Sequence, residues 1–277
     1  MKNLTILIPI DFSPVSRQAF LMADILSQKF TVKIHLLHVI EASESIISGN
    51  PDLAEAIDVS AFKKKKEEAL IQFNSLNNEG RNLESHIKTG LLTDQIHLAE
   101  IEFGADLVIM GTKGADGFME LISGSEAQHV VRYLDVPVIT IRPGTPVTEF
   151  KNILLVADFE HSGKDIQINL IKNIAETFGS TIHLLQILKE GDERYVDQIQ
   201  AQMRFFAEQH HIERFEMHLY RDHQITKGVS NFNKEAEMDL VCIKTHGRKG
   251  ISHLLFGSIA ERLVNHCQKP LLTFKLK

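Results

Sequence analysis

The sequence predicts an α/β protein made of two tandem three-layer α/β/α domains, each with a five-stranded parallel sheet. Short β-branched runs alternate with longer stretches of helical periodicity, which is typical of βαβ units. The chain also repeats itself: LTILIPIDF at 4–12 aligns with NILLVADF at 152–159, and ADLVIMGTKG at 105–114 aligns with MDLVCIKTHG at 238–247. Internal repetition on this scale indicates a duplicated domain.

The boundaries of the two predicted domains follow from this repeat. The first domain is predicted over residues 1–143 and the second over 150–277, joined by PGTPVTE at 143–149. Two prolines and a glycine make this segment typical of a linker. A chain of 277 residues with 43% hydrophobic content can build a core in each domain. Strands are predicted at 4–10, 32–40, 82–88, 106–111 and 136–141, and again at 152–157, 181–188, 213–220, 239–244 and 271–275.

Two helices of the first domain can be outlined from local signals. Ser13 and Ser16 are both candidates to begin the first helix, because a serine hydroxyl accepts a hydrogen bond from a free amide group at a helix start. A long second helix is predicted from Asp52 to Asn78. Its basic run, KKKK at 63–66, is followed by two glutamates, which indicates a solvated helix face.

The charge balance argues against several functional classes. The formal net charge is −6, and the acidic excess lies in residues 1–145, which hold 13 Lys and Arg against 19 Asp and Glu. Neither half is basic enough for the electrostatic footprint of a duplex, so no nucleic-acid partner is expected. The sequence shows no charged leader before an apolar segment and no run of about 18 apolar residues, so we expect a cytosolic protein without a membrane partner.

A glycine-rich segment follows the fourth predicted strand. Gly111 and Gly114 bracket a tight turn, and after nine further residues Gly124 and Ser125 open a helix. Glycine leaves no Cβ to keep a phosphate away from backbone amides, and a helix start presents free N–H groups to an anion. Lys113 adds positive charge, so a polyphosphate fits this chemistry. The alternative is a loop whose glycines only turn the chain from strand to helix, because glycine alone is weak evidence for a phosphate site. Neither a Walker nor a Rossmann signature is present.

Together, three segments resemble the universal stress protein family over both halves of the chain. They are ILIPIDFSPVS at the start, IHLLHVIE in the second strand, and the spacing G-x-x-G, nine residues, G-[ST]. The resemblance implies an adenine nucleotide alpha hydrolase-like fold and a stress-response protein. It also implies that the first domain binds an adenine nucleotide, usually ATP.

The resemblance also assigns residues to the nucleotide. Asp11, beside Pro9, and Val39 are expected at the adenosine part. Met110, Gly111, Lys113 and Gly114 are expected along the ribose and phosphates, and Gly124, Ser125, Glu126 and Ala127 at the phosphate end. Glu126 departs from this logic, since a carboxylate beside phosphates is unfavourable unless it points outward or meets a cation. A Mg²⁺ ion would reconcile the two charges.

The second domain departs further from the pattern. Lys244 takes the place of the first loop glycine, and Val156 takes the place of Pro9. Two interpretations follow: either Lys244 reaches a phosphate directly, or this second site is degenerate and structural. The residues of the second domain that occupy the places of expected site residues in the first are Asp158, Ile187, Gly247, Gly257 and Ser258.

The sequence contains no convincing catalytic set. A strand-end aspartate such as Asp11 more often binds a ligand or caps a helix than acts as a base. The chain has 14 histidines, but adjacent His210 and His211 would face different ways on a helix, and no H-x-x-x-H pair has a matching acidic or cysteine partner. No metal ligands are therefore assigned. Cys242 and Cys267 are interpreted as small buried residues rather than a disulfide.

Three functional readings remain. The first is a regulatory binding module in which the first domain holds ATP and the second is a partner domain. The second is a slow ATPase or self-phosphorylating protein that uses Ser125, and the third is a scaffold without nucleotide. Binding is favoured over catalysis because the loop supplies anion donors but no evident base to position water.

The last strand of each domain predicts how the domains assemble. VPVITIR at 136–142 and PLLTFKLK at 270–277 are apolar, β-prone edges that need covering. The resemblance implies dimerisation through this strand. We expect the two edges to pair within one chain as a pseudo-dimer, which can dimerise again.

Overall fold

The computed structural model describes residues 3–41, 59–76, 82–112, 124–159, 168–189, 191–245 and 253–275. The strands in this part of the chain are β1 (Asn3–Pro9), β2 (Thr31–Glu41), β3 (Leu83–Gly90), β4 (Leu107–Gly111), β5 (Val138–Ile141), β6 (Asn152–Val156), β7 (Thr181–Leu188), β8 (Phe215–Arg221), β9 (Leu240–Thr245) and β10 (Leu271–Lys275). The α-helices are α1 (Pro14–Ser27), α2 (Val59–Ser75), α3 (Leu92–Phe103), α4 (Gly124–Tyr133), α5 (Ile168–Phe178), α6 (Val196–Gln209), α7 (Ile225–Glu235) and α8 (His253–His266), with a 3-10 helix at Asp192–Tyr195.

These strands form a single ten-stranded sheet in the order β3-β2-β1-β4-β5-β10-β9-β6-β7-β8. Within each half, every pair of neighbouring strands is parallel. Because β1 lies between β2 and β4, the connections leave it in opposite directions, which creates a crevice at its carboxyl end. The predicted α/β fold with two repeats is confirmed.

The two halves join edge to edge, as the apolar final strands predicted. β5 pairs with β10 in antiparallel orientation, with Ile139 opposite Leu272. Threonine hydroxyls reinforce the seam: Thr140 Oγ1 donates to the Leu271 carbonyl at 3.4 Å, and Thr273 Oγ1 donates to the Val138 carbonyl at 3.2 Å. Each edge strand therefore covers the other, and the expected pairing within the chain is confirmed.

The core lies on both faces of the sheet and crosses the seam. On one face Ile6 and Ile109 of the first half belong to the same buried cluster as Leu155 and Leu272 of the second. The opposite face carries a second buried cluster, which also contains residues of both halves, such as Leu7 and Leu271. This division follows from the alternation of side chains along each strand.

Local signals explain the first helix. Ser13 has extended backbone angles and its side chain accepts a hydrogen bond from the Ser16 amide at 3.3 Å, so Ser13 begins α1, with Pro14 at the first helical position. In α2 the four lysines at 63–66 are exposed, as predicted. The predicted ends of that helix, Asp52 and Asn78, lie outside the described residues.

Both cysteines are buried and free, as expected. Burial raises the pKa of both thiols, that of Cys267 to about 11. Neither thiol is therefore positioned to act as a nucleophile or a disulfide partner. In the described parts of the chain, no helix has the length and apolar character needed to cross a membrane.

Candidate functional site

Asp11 lies two residues beyond the last residue of β1, in the turn that leads to α1. Its Oδ1 accepts hydrogen bonds from the Ser13 amide at 3.0 Å and from the Ser13 hydroxyl at 2.6 Å. Ser13 in turn caps the helix. Asp11 therefore fixes the turn between strand and helix, and its half-buried carboxylate is held in one place at the crevice.

Phe12 and His38 shape the wall beside this carboxylate. Phe12 has a φ of 65°, which a non-glycine residue rarely adopts, and its ring packs against His38 and Phe73 with centroids 5.1 and 5.0 Å apart. His38 Nδ1 lies 2.8 Å from the Ile10 carbonyl, so Nδ1 carries the proton that this bond needs. In the neutral ring Nε2 is then an acceptor.

A cavity of about 580 Å³ opens at this point. Its volume falls within the range of small-molecule sites. Two residues expected at the adenosine part, Asp11 and Val39, both line it. The other lining residues are Phe12, Arg17, His38, Ile40, Glu41, Lys65, Glu68, Ala69 and Gln72.

Gly111 is required by the packing of α1. A Cβ at this position would lie 2.8 Å from the Val15 carbonyl carbon and 2.9 Å from its oxygen, closer than real Cβ contacts. The glycine therefore allows the end of β4 to touch the first turn of α1, beside the crevice. Met110 is fully buried, so any contact that it makes with a ligand has to come from its backbone.

The expected phosphate end is only partly described. Helix α4 begins at Gly124, as predicted, and Ala127 in its first turn is fully buried. Lys113 and Gly114 lie outside the described residues. The side chains of Ser125 and Glu126 also lie outside the description, so their expected roles stay predictions.

The second crevice differs from the first. Ile187, which takes the place of Val39, packs tightly against Gly228 of α7, where a Cβ would lie 2.8 Å from its Cδ1. Val156, in the place of Pro9, is also buried. Lys244 is half-buried, and its charge adds to burial, the main cause, in lowering the pKa of His210.

The helix that follows the second crevice begins early. Helix α8 starts at His253, so Gly257 and Ser258 lie in its second turn rather than at its opening. Backbone amides beyond the first turn donate to helix carbonyls and are not free for a phosphate. Gly247 lies outside the described residues. Of the expected second-site positions, Asp158 keeps its place after β6 and is half-buried.

Comparison with known sequences identifies the family. The sequence profile of the universal stress protein family matches residues 2–142 and again residues 149–275. The chain belongs to the universal stress protein family. Its two matches correspond to the two halves of the sheet, so this is a universal stress protein with two copies of the family domain in one chain.

Individual relatives agree with this assignment. Universal stress protein G of Escherichia coli O157:H7 is 30% identical over 145 residues, which cover 50% of this chain and 98% of that protein. A universal stress protein of Methanocaldococcus jannaschii is 26% identical over 145 residues, covering 50% of this chain and 81% of that protein. The solved universal stress protein of Archaeoglobus fulgidus covers 98% of both chains with a TM-score of 0.71 at 20% identity, which supports the shared fold.

Sequence reasoning missed one feature of this universal stress protein. Each half brings two histidines and a glutamate together across an edge strand, with ligand atoms that all lie within 4.8 Å of one another. The β2–β3 cluster is His35, Glu84 and His86, and the β7–β8 cluster is His183, Glu216 and His218. The available signal was the repeat itself, which keeps I-H-L-L in one strand and E-x-H in the next.

Proposed function

We propose that the first domain of this universal stress protein binds an adenine nucleotide, ATP, in the crevice at the carboxyl ends of β1 and β2. The chain then acts as a regulatory module whose interactions depend on occupancy. The observation that carries this proposal is the 580 Å³ cavity lined by both Asp11 and Val39. Crevices at this position of a parallel sheet are the usual ligand sites of such folds.

The chemistry of the cavity suits an adenosine. The Asp11 carboxylate is fixed by Ser13 and can accept a hydrogen bond from a ribose hydroxyl. His38 Nε2 is an acceptor that matches the exocyclic amine of adenine, and the half-buried ring of Phe12 offers an apolar surface. The Val39 side chain is only 3% exposed, so Val39 would meet the base through its backbone. Adenosine presents the donors and the apolar ring face that this wall requires.

The phosphates would extend towards the glycine loop and the start of α4. Four amides at a helix start lack partners within the helix, and the helix dipole is positive there. Lys113, Gly114, Gly124 and Ser125 would supply the remaining donors. Mg²⁺ is the ion that would allow Glu126 to remain beside the phosphates.

The second domain serves as a partner domain in this proposal. Ile187 packs closely against Gly228, and helix α8 begins at His253, so Gly257 and Ser258 lie beyond its first turn. These differences favour the degenerate interpretation over direct phosphate binding by Lys244.

The crevice is tested by paired asparagine variants. Asp11→Asn keeps an Oδ1 acceptor for the two bonds from Ser13 but removes the charge and the second carboxylate oxygen. A hydrogen bond to a charged group contributes about 1.5–3 kcal/mol, so ATP binding should weaken roughly 10-fold to 100-fold. Isothermal titration calorimetry measures the dissociation constant in the presence of Mg²⁺.

Asp158→Asn at the corresponding position of the second domain is the matched control, and it should leave ATP affinity unchanged. Equal losses in both variants, or no binding by the wild-type chain, would contradict the proposal. Phosphate release is followed in the same samples. Turnover above the buffer rate that is lost in Ser125→Ala would favour the slow ATPase.

A further inference from the structure

The β7–β8 and β2–β3 clusters lie at the outer ends of the ten-stranded sheet. β8 and β3 are its two terminal strands, and each supplies the glutamate and one histidine of its cluster. His183 is the third residue of β7 and stands in register with Glu216, while His35 stands in register with Glu84. Both positions lie in the first half of their strands, away from the carboxyl ends that form the nucleotide crevice.

We propose that the β7–β8 cluster binds a divalent transition-metal ion of the Zn²⁺ class, and that the β2–β3 cluster is a weaker duplicate of the same site. Two imidazoles and one carboxylate form a ligand set that zinc accepts, with water completing the coordination. The proposal concerns a site separate from the nucleotide crevice and does not depend on nucleotide binding.

The spacing of the ligand atoms fits such an ion. His183 Nδ1 lies 3.0 Å from His218 Nε2 and 3.6 Å from Glu216 Oε2, and His218 Nε2 lies 3.7 Å from that same oxygen. A point equidistant from three atoms with these separations lies about 2.0 Å from each, which is the bond length of zinc to nitrogen and oxygen ligands. An ion can therefore be accommodated with little movement of the side chains.

The tautomer of His183 is suited to metal binding. Its Nε2 lies 3.2 Å from Asn152 Oδ1, so Nε2 carries the proton and Nδ1 presents its lone pair to the cluster. A second hydrogen bond that orients a ligating histidine in this way is typical of protein metal sites.

The cluster is also open on one side. His183 is almost buried, with a side-chain exposure of 10%, whereas His218 and Glu216 are exposed to 27% and 60%. This gradient leaves a route for an ion to enter and room for water as a further ligand. Bound there, the ion would connect the terminal strand β8 to its neighbour β7.

The β2–β3 cluster has the same three ligands but a different charge environment. Lys33 Nζ lies 2.9 Å from Glu84 Oε1, and Lys88, which pairs with Glu102, adds a second positive charge nearby. Their places in the second half are taken by Thr181 and Tyr220, which are uncharged. Cations beside a ligand oppose a dication, so the first site should be weaker.

The orienting hydrogen bond is also missing in the first half. His35 Nε2 is buried and has no hydrogen-bond partner, and Thr5 takes the place of Asn152 in the repeat. No acceptor therefore holds the proton on His35 Nε2, and a proton on Nδ1 can instead donate to His86 Nε2, which lies 3.0 Å away. Both differences predict tighter metal binding by the second half.

The test uses the full chain without an affinity tag, stripped of metal with a chelator. After equilibrium dialysis against Zn²⁺, the amount of bound Zn²⁺ is measured by mass spectrometry. In a second experiment Co²⁺ replaces Zn²⁺, because the visible absorption of Co²⁺ reports coordination by nitrogen and oxygen. The wild-type chain should retain one tightly bound Zn²⁺ per chain. Its melting temperature should be higher with Zn²⁺ bound than without it. His218→Asn should weaken that tight site at least 100-fold, since loss of a ligand exceeds the roughly 10-fold to 100-fold effect of an orienting residue.

His223→Asn is the matched control, because His223 is exposed just beyond β8 and outside the cluster. It should bind Zn²⁺ as the wild type does. The circular dichroism and melting temperature of metal-free His218→Asn are compared with the metal-free wild type, so that misfolding is detected separately. Unaltered tight binding in a folded His218→Asn variant, or no retained Zn²⁺ in the wild type, would overturn the proposal.

A gain-of-binding variant tests the comparison between the halves. Lys33→Thr combined with Thr5→Asn gives the β2–β3 cluster two of the residues that surround the second cluster, with Lys88 left in place. In a His218→Asn background, this change should strengthen the remaining site about 10-fold or more. Weaker or unchanged Zn²⁺ binding would show that the lysine and the missing amide do not explain the difference.

Discussion

Gly111→Ala is expected to lower the free energy of unfolding by about 2–3 kcal/mol. The new Cβ would lie 2.8 Å from the Val15 carbonyl carbon, and backbone cannot move aside as a flexible side chain does. Helix α1 would have to shift, and with it Ser13, which holds Asp11 in the crevice. ATP binding should therefore weaken in the same variant. Urea unfolding and calorimetric titration measure the two effects.

Gly104→Ala is the control for this prediction. Gly104 follows α3 with a φ of 60° and has no atom within 4 Å of the place where a Cβ would stand. Its substitution should cost about 1 kcal/mol through backbone strain alone and should leave ATP affinity unchanged. If both variants lost equal stability, contact with α1 would not be the reason for glycine at 111.

Phe150→Ala should cost more, about 3–5 kcal/mol. Phe150 precedes β6 and is 1% exposed, and its ring meets Phe178 edge to face with centroids 5.2 Å apart. Truncation would leave a cavity in the core that both halves share. The expected result is a lower urea midpoint with a single transition, because the halves have no separate core on that face.

Phe205→Ala provides the comparison on a solvent-facing position. Phe205 lies on α6 with 51% exposure, so its truncation should change stability by no more than about 0.5 kcal/mol. Two separate unfolding transitions in Phe150→Ala would contradict the shared core. Equal destabilisation by both substitutions would contradict the burial argument.

Most of the fold could be predicted because its determinants are local. The hydrophobic patterns located every strand to within a few residues, and the serine signal narrowed the start of α1 to Ser13 or Ser16, of which Ser13 is the cap. The start of β5 was placed two residues early. Pro137 has no N–H for the ladder, although its carbonyl accepts from Val108 at 3.0 Å, so the strand begins at Val138.

The candidate crevice could be predicted in part. Asp11 and Val39 were expected together and line one cavity. The reason for Gly111 could not be predicted, because it depends on how closely α1 crosses the end of β4. The early start of α8 also escaped prediction, since the glycine and serine at 257 and 258 match the helix-opening pattern of the first half.

The two histidine–glutamate clusters were missed because their side chains come from different strands. His35 and His86 are 51 residues apart, and His183 and His218 are 35 apart. A search for two histidines on one helix cannot find such a pair. The register of neighbouring strands brings the two histidines together. In the sequence, the signal for this was that both halves keep the same histidine and glutamate positions.

The antiparallel seam between β5 and β10 reverses the polarity of the second half. All strands of one half point their carboxyl ends to one rim of the sheet, and those of the other half point to the opposite rim. The candidate crevice of the first half and its divergent copy therefore open at opposite rims. Under the proposed function, a partner that reads ATP occupancy would have to approach the rim of the first half, and the other rim would present a different surface.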